Sequence, residues 1–270
     1  MPELPEVETI RLDLQKVLPG LRITDISVYD QRILKTNDQP TFIKEIKDKT
    51  IQSVSRRGKM IVMPFKEGGY LLVHLKMTGQ LIYGQRLKLK ETKLVFGLSD
   101  GNHLNYNDQR LFGRLSFVQQ LNDDAFLREI GPEPLEASFN EDWIKGQLKR
   151  RRIPIKTFLL NQNFIAGIGN IYASEILFDA RINPTKAARR LTREEIASLR
   201  HSTVHVLKKA IKYRGTSMRN YRDSNGEKGR FINRIKVYNK EHESCPICHS
   251  EIKRIVQNGR STFFCQRCQH

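Results

Sequence analysis

The sequence predicts an α+β protein in three parts. An N-terminal helix and an antiparallel β-sandwich occupy residues 1–130, a helical domain 131–240 and a C-terminal β-hairpin finger 241–270. Three features predict this. An apolar stripe at helical spacing opens the chain, and eight short period-two stretches broken by glycine turns follow it. Beyond Gly131-Pro132-Glu133-Pro134 the periodicity becomes helical, and all four cysteines crowd into the last 26 residues.

The first helix is expected over Glu3–Val17, with Val7, Ile10, Leu14 and Val17 on one face, and Pro19-Gly20 ends it. Strands are expected at Ile23–Tyr29, Ile51–Val54, Met60–Phe65, Tyr70–Leu75, Gln80–Tyr83, Leu94–Leu98, His103–Tyr106 and Arg114–Val118. Gly68-Gly69, Gly79, Gly84 and Asp100-Gly101 separate them, the spacing of an antiparallel sandwich. Helices are expected over about 139–149, 154–161, 170–181 and 193–213. Ser138–Glu141 and Thr192–Glu195 have capping-box spacing. The polar stretch Gly215–Gly229 reads as a mobile loop.

At 270 residues, 39% hydrophobic and 28% charged, the chain can bury more than one packed unit and is not a disordered polymer. No run approaches the roughly 18 apolar residues of a membrane span. The acidic start Met1–Glu6 lacks the basic and apolar stretches of a signal peptide, so a cytosolic protein is expected. The net charge is +18, and it is lopsided: residues 1–140 hold 20 basic and 18 acidic side chains, residues 141–270 hold 27 and 11. Charge gathered in one half implies a polyanionic partner, most often nucleic acid, whereas a solubilising surface would spread it.

Cys245-Pro-Ile-Cys248 and Cys265-Gln-Arg-Cys268 stand sixteen residues apart. Paired knuckles of this kind aim four thiolates at one tetrahedral zinc, and a reducing cytosol disfavours the alternative of two disulfides. The metal substitutes for a core that so short a segment cannot build, so its role is structural. Between the knuckles a hairpin is expected to turn at Asn258-Gly259 and to project Arg260.

Pro2, Glu3 and Glu6 admit two readings. Proline fits a helix's first turn and acidic residues suit its positive end, which sequence alone favours. Alternatively, removal of Met1 exposes a secondary amine. An α-amino group titrates near 7.7–8.0 against 10.4 for lysine, so roughly a few hundred times more of it is a free nucleophile at neutral pH. Attack of such an amine on a sugar C1′ gives an iminium directly, with Glu3 and Glu6 within one helical turn.

At these residues a resemblance enters. Met1-Pro2-Glu3-Leu4-Pro5-Glu6-Val7-Glu8-Thr9 resembles the start of bacterial formamidopyrimidine-DNA glycosylases. So do Arg57-Gly58-Lys59, His74–Gly79, Asp108–Gly113, Gly131–Leu135, Gly167–Glu175 and Gly259–Cys265, in order along the whole chain. The resemblance implies a helix-two-turn-helix in the middle domain and one structural zinc on Cys245, Cys248, Cys265 and Cys268. It implies a monomer of the bacterial cytosol or nucleoid that binds damaged duplex DNA in a basic cleft between sandwich and helical domain. The implied activity is excision of 8-oxoguanine and formamidopyrimidines, with strand cleavage by β,δ-elimination. Oxidised pyrimidines, the substrates of the sister family, or zinc-dependent DNA binding without catalysis are the alternatives.

Residue by residue, the resemblance implies Pro2 as Schiff-base nucleophile, Glu3 as the acid assisting sugar opening, and Glu6 beside them. Lys59 is implied as phosphate contact and proton donor, and Arg260 in δ-elimination. His74, Arg151, Asn170 and Tyr172 are implied DNA contacts, and Met77, Arg110 and Phe112 the wedge that replaces an extruded base. A helix start at Asn170 suits an anion independently of the resemblance. Thr216, Ser217, Met218, Arg219, Asn220 and Tyr221 match the loop that caps the lesion, within about 215–231. The chain departs from the family pattern at Arg214 and Asn239, where glycines are common, at Asn220, where threonine is favoured, and at Lys93, where histidine is common.

Overall fold

The computed structural model describes residues 1–35, 38–217 and 221–270. The chain divides into two compact units, residues 1–129 with 213–232, and residues 130–212 with 233–270. Segment 213–232 therefore packs with the N-terminal unit rather than with the helical domain in which the sequence places it.

In the first unit, helix α1 (Leu4–Val17) buries Leu4, Val7, Ile10 and Leu14. Val17 is exposed and Leu18 is fully buried in its place. The reason is angular: at about 100° per residue, position 17 lies some 80° off the stripe set by Val7, position 18 only about 20°. The strands are β1 (Ile23–Val28), β2 (Ser55–Arg57), β3 (Met60–Pro64), β4 (Tyr70–His74), β5 (Gly79–Gly84), β6 (Thr92–Leu98), β7 (His103–Asp108) and β8 (Arg114–Val118). They form two antiparallel four-stranded sheets, ordered β1-β6-β7-β5 and β2-β3-β4-β8. Ile51–Val54 is not a strand; Ile51 makes a single bridge to Phe65 and pairing begins at Ser55.

Pleating explains why β3 reads as continuous apolar sequence. Ile61 and Met63 enter the core shared with α1 and the other sheet, while Met60 and Val62 join Leu72, Val118 and Phe126 on the opposite face. Helix α2 (Gln39–Ile46) lies between two expected strands, in a stretch to which the sequence assigns no element. Asp38 caps it by accepting the Thr41 N–H at 2.7 Å, Pro40 opens it, and Phe42 and Ile46 are buried. A short helix α3 (Ala125–Glu129) follows the last sandwich strand.

The second unit contains α4 (Glu141–Leu148), α5 (Ile155–Leu160), α6 (Asn170–Asp179) and α7 (Arg193–Lys212), then the hairpin β9 (Lys253–Gln257) and β10 (Arg260–Phe264). Asn140, not Ser138, caps α4. At α7 the expected capping box forms: Thr192 N–H donates to Glu195 Oε2 at 2.9 Å and Glu195 N–H to Thr192 Oγ1 at 3.3 Å. Asn258 and Gly259 both have positive φ, 48° and 70°, the conformation of a two-residue hairpin turn. No described helix is long and apolar enough to cross a membrane.

Candidate functional site

In the first unit, candidate residues gather at the start of α1 and at neighbouring strand ends. Pro2 is buried, as are Glu3 and Glu6. Glu6 Oε2 accepts the Glu3 N–H at 2.7 Å, so the acid three residues on closes the helix start. Its other oxygen accepts the Thr216 N–H at 2.7 Å, and the Tyr221 hydroxyl donates to the Glu6 carbonyl at 3.3 Å. The segment containing Thr216 and Tyr221 is thereby joined to the first turn of α1.

Lys59 stands in the tight turn between β2 and β3 and is buried. Two residues unremarked in the sequence place that turn. Glu8 on α1 accepts from Arg56 Nε at 2.9 Å, and Arg56 Nη1 donates to the Gly58 carbonyl at 2.9 Å. Helix and turn are so linked through one guanidinium. Across the sheet, Met60 is in register with His74, which brings Lys59 beside the imidazole.

Burial, with the positive charges of Lys76, Lys59 and Arg114, pushes His74 down to about 3. The imidazole is therefore neutral at physiological pH. Its Nδ1 accepts the Lys76 N–H at 3.0 Å, so Nε2 carries the proton and is a donor. Burial, then Arg114, also lowers the Lys76 ammonium pKa.

Met77 and Phe112, 40% and 52% exposed, are large apolar side chains held out of the core, and the Arg110 guanidinium lies 4.6 Å over the Phe112 ring. Their loops meet on one carboxylate, Asp108, which is fully buried. Its Oδ1 accepts from the Thr78 hydroxyl and from the Arg110 N–H at 3.2 Å. Its Oδ2 accepts the Gly113 N–H at 2.8 Å and the Tyr106 hydroxyl at 3.4 Å. Gly113 has to be glycine, since a Cβ would fall 1.7 Å from the Tyr106 hydroxyl. Thr92 pairs with Asn107, next to Asp108, so the same sheet end carries a groove of about 780 Å³ lined by Arg86, Lys88, Lys90 and Lys93.

In the second unit, Arg260 is exposed on the first residue of β10, directly after the hairpin turn. Two donors hold the following residue: Lys156 Nζ and Asn170 Nδ2 reach the Ser261 carbonyl at 2.9 and 3.0 Å. Lys156 also donates to Thr262 Oγ1 at 2.8 Å and is almost wholly buried. Sequence reasoning missed it, because a lysine in a basic region carries no signal of burial. Arg151 lies 3.7 Å over the Phe164 ring and donates to the Gln147 carbonyl. Tyr172 is fully buried within α6.

The four cysteine Sγ atoms lie within 4.8 Å of one another. A zinc tetrahedron with Zn–S of about 2.3 Å needs sulfurs about 3.8 Å apart, so the donor set fits one zinc. Phe178, Val237, Ile252 and Phe263 pack around the cysteines, the enclosure of a structural and not a catalytic site. Met218, Arg219 and Asn220 of the expected base-recognition loop lie outside the described residues. Thr216, Ser217 and Tyr221 lie inside them, in the unit that holds Pro2.

Comparison with known proteins agrees along the chain. Residues 1–115 match the formamidopyrimidine-DNA glycosylase N-terminal domain, 130–222 the formamidopyrimidine-DNA glycosylase H2TH domain, and 243–270 the zinc finger found in FPG and IleRS. A formamidopyrimidine-DNA glycosylase of Pelotomaculum thermopropionicum is 43% identical, covering 100% of this chain and 99% of that one. The Lactococcus lactis Fpg bound to DNA containing an abasic site superimposes with a TM-score of 0.92 at 36% identity, over 99% of each chain. Its complex with Fapy-dG DNA gives 0.91 at 35%, again over 99% of each. Family models, a full-length relative and solved structures thus converge, and the chain belongs to the formamidopyrimidine-DNA glycosylase family of DNA-repair enzymes.

Proposed function

We propose that this chain excises oxidised purines, 8-oxoguanine and formamidopyrimidines, from duplex DNA and then cuts the abasic strand through a Schiff base on Pro2. The observation that carries the reading is the first turn of α1: Pro2, Glu3 and Glu6 are buried together, on a helix tied through Glu8 and Arg56 to the turn that bears Lys59. Abasic and Fapy-dG DNA in the Lactococcus lactis complexes support the substrate class.

C1′ is shielded in a stacked duplex, so the nucleotide must first be flipped, at a cost of a few kcal/mol. Met77 and Phe112 offset lost stacking, and Arg110 hydrogen-bonds the orphaned base. With Met1 removed, the Pro2 lone pair forms a bond to C1′ as the glycosidic bond breaks and the base departs with a proton. Glu3 protonates O4′ as the ring opens, leaving the iminium. Loss of the C2′ proton supplies the electron pair that expels the 3′ phosphate. Loss of the C4′ proton then expels the 5′ phosphate, and water hydrolyses the iminium to return the amine.

Lys59 protonates or contacts the departing phosphate, and the Nε2–H of neutral His74 donates to a phosphate oxygen. Asn170, Arg151 and Arg260 serve the strand from the second unit, Arg260 in δ-elimination. Thr216, Ser217 and Tyr221, with residues 218–220, read the extruded base. The zinc has no part in a chemical step and shapes the hairpin that bears Arg260. A chromosomal substrate puts the protein in the bacterial cytosol or nucleoid.

Borohydride reduction tests the reading, because it traps an iminium as a stable amine. Full-length protein whose intact mass shows loss of Met1 is incubated with 8-oxoguanine, dihydrouracil or abasic duplexes. A covalent adduct on 8-oxoguanine and abasic DNA, lost in Pro2→Gly, is expected. Adducts on dihydrouracil in preference to 8-oxoguanine would move the assignment to pyrimidines, and no adduct would overturn it.

A further inference from the structure

An ion cluster in the first unit has no part in the steps above. Arg214 has φ of 61°, a left-handed conformation that strains a non-glycine residue. Its guanidinium spans two carboxylates. Nη2 lies 2.5 Å from Asp13 Oδ2 on α1 and 2.5 Å from Asp223 Oδ2, with Nε 2.9 Å from the latter and Nη1 3.3 Å from Asp13 Oδ1. The Asp223 side chain is fully buried, and its Oδ1 accepts the N–H groups of Asn225 and Glu227 at 3.0 and 2.9 Å. Partial burial works against the guanidinium charge, but its hydrogen bonds to the Asp13 and Asp223 carboxylates outweigh that and hold its pKa above the ordinary value.

The cluster adjoins the base-recognition segment. Gly215 follows with φ of 76°, and a Cβ there would come 2.7 Å from Glu6 Oε1, so the backbone lies flat against that carboxylate. Ser217 Oγ donates to the Tyr221 carbonyl at 2.9 Å and accepts the Gly229 N–H at 2.8 Å, binding together the chain on either side of residues 218–220. This segment is thus fastened to α1 at two points seven residues apart: Glu6, through Thr216 and Tyr221, and Asp13, through Arg214 and Asp223. A glycine at 214 takes the same φ without strain but supplies only the first fastening.

We propose that Arg214 is a positioning residue for base excision: by bridging Asp13 and Asp223 it holds the stems of the base-recognition segment against α1 before any base arrives. Ordering those stems then costs nothing at the moment of binding, which favours the encounter with an extruded base. The inference rests on the proposed reading of the segment, and it separates two reactions. Excision of a damaged base needs the segment; cleavage of DNA already abasic presents no base to it.

The test measures both reactions in Arg214→Gly, Arg214→Lys and Asp13→Asn, with hydrogen exchange of the 215–229 amides. Arg214→Gly and Asp13→Asn are expected to raise KM for 8-oxoguanine duplex about tenfold, each tenfold being 1.4 kcal/mol, with kcat less affected. Cleavage of preformed abasic duplex is expected to stay unchanged, Arg214→Lys to recover part of the KM, and the 215–229 amides to exchange faster in the two weakened variants. Equal losses on both substrates would mean a merely structural role and overturn the proposal, as would an unchanged KM or unchanged exchange. If wild-type protein cleaves neither substrate, the glycosylase reading fails instead, and exchange alone still judges the clamp.

Discussion

Asp108→Asn is the sharpest perturbation of the wedge. The carboxylate takes four donors, two on each oxygen, and two of the four are backbone N–H groups of Arg110 and Gly113 that cannot turn away. An asparagine amide nitrogen replaces one acceptor with a donor: turned toward Gly113 it orphans that N–H, and turned toward Arg110 it leaves that N–H only Thr78 Oγ1 at 3.1 Å while facing the Thr78 hydroxyl. A hydrogen bond to a charged group is worth about 1.5–3 kcal/mol, and a buried orphan donor costs about 1–3 kcal/mol. Relaxation recovers part of the sum, and a loss of about 3 kcal/mol is expected. Urea unfolding reads it as a midpoint lower by about 1 M. Because Met77 hangs on the Thr78 side of the carboxylate and Phe112 on the Gly113 side, excision from duplex DNA should fall as well. A D108N protein with the parent's midpoint and excision rate would refute this account of the loops.

Acid should weaken the first unit through His74. The folded imidazole titrates near 3 and an unfolded one near 6.5, so the unfolded chain binds the extra proton in between and stability falls as pH drops below about 6.5. Between pH 7.5 and 5 the loss is about 2 kcal/mol, and His74→Gln should flatten that slope in paired denaturation curves. An unchanged slope would mean that the imidazole is not held neutral. Metal analysis should find one zinc per chain. Chelation or Cys268→Ser should release it, unprotect the 253–264 amides and lower DNA affinity while the sandwich amides stay protected. Retained hairpin protection without metal would contradict the structural role.

Much of the fold is legible because it follows from periodicity and side-chain chemistry. The Val7, Ile10 and Leu14 stripe, the Arg114–Val118 strand, the Thr192–Glu195 box and the Asn258-Gly259 turn are local codes, and the structure honours each. Helix α2 was missed because strand-like neighbours mask a cap written only in Asp38 and Pro40. Long-range placement was less legible. Nothing local says that 213–232 packs with the N-terminal unit, since Asp13 and Arg214 are 201 residues apart. Lys156 and Arg56 escaped for the same reason, their partners Ser261 and Glu8 lying 105 and 48 residues away, whereas Asp108 gathers mostly local donors but reads in sequence as an ordinary strand-end acid. Arg214 and Asn239 depart from glycine yet keep left-handed backbone, with φ of 61° and 60°.

Chain starts are ordinarily the most poorly ordered part of a protein. Here the opening turn is wedged by Leu4, Val7 and Ile10, stitched by Glu6 and bolted to a sheet through Glu8. Residue 2, buried directly before that turn, is thereby tethered to a fastened helix start and not to a frayed end.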